Sequence, residues 1–121
     1  MKLPEGNWER RMKRSVNSAT LITEMVRRIV ETWNPDQIIL FGSYARGTAG
    51  PDSDVDLLVV MSLSEGRRKV RLGIRRALSG MGLPKDIVVV TPQEIDRYRE
   101  CPGTIIRAAL GEGKVLYERK S

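Results

Sequence analysis

Three short apolar runs constrain this chain more than anything else in it: QIILF at 37–41, VDLLVVM at 55–61 and DIVVVT at 86–91. Each is too short to be a helix with a buried face. Each is bounded by turn formers or acidic residues and is rich in β-branched or aliphatic side chains, so each reads as a buried strand. Between the second and third, Val70, Ile74, Ala77 and Leu78 recur at helical spacing. A helix is therefore expected from Ser64 to about Ser79.

The flanks follow the same logic. Leu21, Ile22, Met25, Val26, Ile29, Val30 and Trp33 form an apolar stripe, so residues 18–33 read as an amphipathic helix that Asn34-Pro35 stops. Trp8, Met12 and Val16 continue the stripe, so this helix begins earlier or a second one precedes it. TPQE at 91–94 is a capping box, with Thr91 as N-cap, Pro92 at the first helical position and Glu94 at the third; that helix is expected to run to about Glu100. Residues 104–110 form another short helix ended by Gly111 or Gly113, and KVLYE at 114–118 is a closing strand. The expected fold is α/β (or α+β): a small mixed sheet of about four strands covered by helices. Residues 1–17 are expected as a helical N-terminal extension to one domain at 18–118.

Composition narrows the chemistry. The 121 residues carry 21 Lys and Arg against 15 Asp and Glu, a net charge of +6, and no histidine. Without histidine, carboxylates are the obvious catalytic groups. The basic blocks RRMKR at 10–14 and RRKVRLGIRR at 67–76 suit an anionic partner or simply a solvated helix face. No apolar run approaches the ~18 residues of a membrane span. One cysteine, Cys101, forbids an internal disulfide, which fits the cytoplasm.

Against that basic background Asp52, Asp54 and Asp56 crowd together just before and within the second strand. Side chains alternate along a strand, so Asp54 and Asp56 share a face, about 6.5–7 Å apart. At an effective dielectric near 20 they repel by about 2–3 kcal/mol. A divalent cation turns that cost into attraction, and magnesium takes one or two carboxylates together with phosphates and waters. Asp86 opens the next strand and reaches the same site if the two strands are neighbours. The Gly42-Ser43 turn supplies the other half: the backbone can come close to a ligand at Gly42, Ser43 adds a hydroxyl, and a short helix at 43–47 would offer free amides to phosphate. Cradle and carboxylates together are the parts of a site for a metal-bound nucleoside triphosphate.

The stretch GSYARGTAGPDSDVDLLVV resembles the signature of the nucleotidyltransferase superfamily, Gly-Ser followed after a ten-residue spacer by Asp-x-Asp in an apolar strand. Its Ala-Arg-Gly, its Ser-Asp and the ending GEGKVLYE are similar to the minimal nucleotidyltransferases, MntA-like antitoxins that pair with HEPN-domain toxins. The resemblance implies that Gly42 and Ser43 contact the triphosphate of ATP. It implies that Asp54 and Asp56 hold one or two magnesium ions, and that Asp86 is a third metal-binding carboxylate that helps deprotonate the acceptor. Arg46 stands where the family often has Arg, with loop orientation and phosphate contact both open. The implied activity is transfer of AMP to a tyrosine hydroxyl of a HEPN RNase toxin, silencing it, as in a type VII-like toxin-antitoxin pair. Two alternatives compete: an inactive antitoxin acting by contact, and a nucleic-acid-directed transferase. The second is disfavoured by the single domain and by the absence of aromatic residues in 67–76.

Overall fold

Alternation along the strands decides how the molecule is layered. The computed structural model describes residues 7–120, with side chains described from residue 18 onward. Its elements are α1 (Asn7–Trp33), β1 (Gln37–Phe41), α2 (Ser43–Arg46), β2 (Val55–Val60), α3 (Arg67–Ala77), β3 (Lys85–Val90), α4 (Pro92–Tyr98), α5 (Ile105–Glu112) and β4 (Lys114–Glu118). The four strands form one mixed sheet in the order β3-β2-β1-β4. β1 is antiparallel to β2 and β4, and β2 is parallel to β3. A parallel neighbour needs a crossover, which α3 provides.

One face of the sheet carries Ile38, Leu40, Val55, Leu57, Val59, Ile87 and Val89, packed against Ile22, Met25 and Ile29 of α1 and Val70 and Ile74 of α3. The other carries Ile39, Leu58, Val60 and Val90, packed against Ile95 of α4 and Ile106 and Ala109 of α5. β2 is covered on both sides, so Leu57 and Leu58 are both fully buried. That explains why its sequence reads as a continuous apolar run and not as an alternating one. Each such leucine contributes about 1.5–3 kcal/mol by leaving water. Asp56 and Asp86 fall on the second face, at the strand ends that α4 and α5 leave open.

The three apolar runs are strands within a residue of the expected limits, and KVLYE is the fourth. The α4 capping box forms as read: Thr91 Oγ1 accepts from the Glu94 amide at 3.1 Å and the Thr91 amide donates to Glu94 Oε1 at 2.9 Å. This helix stops at Tyr98, short of Glu100. α1 is an unbroken 27-residue helix by its backbone, so no second helix precedes it within the described residues; residues 1–6 of the expected extension lie outside them. α3 differs from expectation. It starts at Arg67 behind Gly66, with no side-chain cap, and Ser64 stays in the loop. Leu63 packs against the first-face core, and the chain bends at Ser64 and Glu65 before the helix begins. Of the two glycines proposed to end α5, Gly113 does so and Gly111 lies inside the helix. Among the described residues no helix is long and apolar enough to cross a membrane.

Candidate active site

Strand register assembles the site. Phe41, the last residue of β1, pairs with Asp56 of β2, and Asp56 pairs with Asp86 of β3. The Gly-Ser turn, Asp56 and Asp86 therefore stand in one row across the sheet. Asp54 precedes β2 by one residue and is exposed, as is Asp86, whereas Asp56 is half-buried.

Gly42 is required by two independent constraints. Its backbone, at φ 74° and ψ −156°, occupies a region that is essentially glycine's alone. A Cβ built there would also lie 2.1 Å from Asp56 Oδ2, so the carboxylate rests directly on the Gly42 Cα. The chain then turns into α2, where the Ala45 and Arg46 amides both donate to the Gly42 carbonyl at 3.1 Å. The Ser43 and Tyr44 amides, first in the helix, have no intrahelical acceptor. The short helix expected at 43–47 is present, and Gly47 ends it in the left-handed region.

Burial pushes the Asp56 carboxyl above its ordinary value, and the charges of Asp86 and Asp54 push it further, with Glu112 adding and Arg46 opposing. The negative potential of the neighbouring carboxylates thus converges on one half-buried group. The described side chains do not form a ready-made cage of three or more His, Cys, Asp or Glu ligands. Asp54, Asp56 and Asp86 share an electrostatic environment, not a closed coordination sphere. An open arrangement of hard oxygen donors still fits magnesium, which keeps waters and takes substrate phosphates.

Glu112, from the end of α5, is the site residue that sequence reasoning missed. Its Oε1 accepts from the Gly42 amide at 3.3 Å, and its two oxygens accept from Arg46 Nη1 at 3.1 and 3.0 Å. It lies 70 residues from Gly42, and no local spacing signals such a contact. Arg46 therefore orients the turn through Glu112, which leaves its Nε and Nη2 for other acceptors.

This turn-and-carboxylate row is what a transferase of nucleotidyl groups needs. The family model for the nucleotidyltransferase domain matches residues 22–116, and the chain belongs to that family. Over 106 residues it is 32% identical to a Methanocaldococcus jannaschii protein named "Putative protein adenylyltransferase MJ1305", a match covering 82% of this chain and 71% of that one. A solved structure named "putative nucleotidyltransferase from Sulfolobus solfataricus" has the same fold, with a TM-score of 0.63 at 21% identity over 98% of this chain and 94% of that chain. So does a chain from a complex of a tri-AMPylated Shewanella oneidensis HEPN toxin with its MNT antitoxin, with a TM-score of 0.51 at 19% identity over 88% and 73% of the two chains.

Proposed function

We propose that this protein transfers AMP from ATP to a hydroxyl, a tyrosine's in the first instance, of a partner HEPN-family toxin, and that residues 18–118 are the transferase unit. The observation that carries the reading is the Asp56 carboxylate resting on the Gly42 Cα, 2.1 Å from where a side chain would begin, in register with Asp86. A relative named for protein adenylyl transfer and a fold shared with a chain of a HEPN toxin–MNT antitoxin complex support the acceptor class. The reading places the protein in the cytoplasm as an antitoxin, in a hetero-oligomer with its target.

Asp54 and Asp56, with Asp86, would hold one or two magnesium ions, which when bound supply neutralising charge at the triphosphate. The free amides of Ser43 and Tyr44 and the Ser43 hydroxyl bind phosphate oxygens, and Arg46 adds a cation beside them. Asp86, exposed at the outer end of the row, takes the proton of the acceptor hydroxyl. The acceptor oxygen bonds to the α-phosphorus, the bond from that phosphorus to the bridging oxygen breaks, and pyrophosphate leaves. Exposure of this end of the row suits an acceptor delivered on another protein.

The test is incubation with a HEPN-family toxin, ATP and magnesium, followed by intact-mass measurement. The toxin should gain whole AMP units with the wild-type protein and none with Asp56→Asn. A toxin that is silenced with no mass change would replace the enzyme with an antitoxin acting by contact.

A further inference from the structure

The sheet ends at β3, whose outer edge is open. Among the described residues β3 pairs only with β2. The Val55 amide donates to the Pro84 carbonyl at 2.8 Å and the Met61 amide to the Val90 carbonyl at 2.9 Å. Even-numbered residues of β3 thus turn their backbone groups inward, and by alternation Lys85, Ile87 and Val89 turn theirs outward. Arg75 Nη2 meets the Lys85 carbonyl at 3.3 Å; among the described residues nothing else bonds to that edge.

Two unlike walls flank it. On the first face α3 runs opposite to β3: Arg67 pairs with Glu94 at 2.8 Å beyond the strand's end, and Arg75 reaches its start. Arg67, Arg71 and Arg75 are all exposed and stand a turn apart at i, i+4 spacing. Arg71 has no ion pair among the described residues. On the second face lies a mostly apolar groove of about 270 Å³ lined by Val88, Val90, Tyr98 and Ile105, with the Arg67–Glu94 pair also in its lining; Ile105 is 52% exposed. The arginine row spans about 12 Å at the helical rise, and four strand residues span about 13 Å. One arginine therefore matches every second residue of an added strand.

We infer that this edge receives an extended segment of the acceptor protein as a fifth strand, with acidic side chains alternating toward the arginine row and apolar ones toward the groove. The inference rests on the transfer reading above. Asp86 shares strand and face with Val88 and Val90, so a hydroxyl presented at Asp86 has apolar residues two and four positions away and acidic ones at one and three. Main-chain bonds to Ile87 and Val89 supply affinity, and the two walls supply selectivity. The same arginines keep the open edge from pairing with further copies of the chain.

The probe is a labelled peptide containing Tyr-Glu-Val-Glu-Val within Gly-Ser flanks, compared with a shuffled peptide of the same composition, without nucleotide. The alternating peptide should bind the wild-type protein about tenfold more tightly than the shuffled one, and Arg71→Glu should remove that preference. Hydrogen exchange at the Ile87 and Val89 amides should slow on binding, and N-methylation of alternate peptide residues should weaken binding in one register only. Equal binding of both peptides, or unchanged exchange at those amides, overturns the inference. So does a dimer of the wild-type chain in which those amides are already protected, or an RNA oligonucleotide that displaces the peptide at equal concentration. ATP binding to the wild-type protein is scored separately: its absence sinks the transfer reading, and peptide binding stands or falls by itself.

Discussion

At the residue scale, Asp56 is held where its charge is least comfortable. Burial and neighbouring carboxylates raise its pKa above 3.8, so the folded state binds its proton more readily than the unfolded state does. Stability then falls as pH rises through the raised value, and the cost is absent below the ordinary carboxylate range. In EDTA, Asp56→Asn should raise the melting temperature at pH 7, and a pH series should show the gain shrinking toward pH 4. The same substitution should cut transfer by more than the roughly 10–100-fold typical of losing an outer partner of a metal site. Gly42→Ala meets both the 2.1 Å contact and the positive φ, so chemical denaturation should report a loss of about 1–3 kcal/mol together with lost transfer. Glu112 and Arg46 form a partly exposed pair, a class worth about 0–1 kcal/mol. Glu112→Gln should therefore barely move the melting temperature while raising the KM for ATP several-fold at nearly constant kcat, because Arg46 loses its orientation.

At the element scale, the strands and α4 were legible because their signals are local. A β-branched run between turn formers, or Thr91 three residues before Glu94, states its structure within a few residues. The start of α3 was not, because Leu63 is drawn into the core by contacts from distant segments and the serine cap is bypassed. Gly111 and Gly113 make the same point. Both are plausible helix stops, yet a Cβ at Gly111 meets nothing within 4 Å, while one at Gly113 would lie 2.2 Å from the Ala109 carbonyl oxygen and 2.5 Å from Ile39 Cγ2. Thermal denaturation should find Gly111→Ala stabilising by up to about 1 kcal/mol, as expected inside a helix, and Gly113→Ala destabilising by about 1–3 kcal/mol through overpacking.

At the scale of the whole molecule, ligand binding and folding are linked. Magnesium with ATP at about 100 times its dissociation constant should add about 2.7 kcal/mol to the stability of the wild-type protein. Asp56→Asn should abolish that gain, which a thermal-shift titration reads directly. Taken alone, the sequence determined the strand identities, the α4 capping box and the spacing that links Gly42-Ser43 to Asp54 and Asp56, since each depends on neighbours a few residues apart. Only the tertiary structure decided that Asp86 lies in register with Asp56, that Glu112 closes on the turn, and that β3 is left open beside an arginine row. Those outcomes depend on strand order and packing between segments far apart in the chain, where geometry depends on how distant pieces share one core.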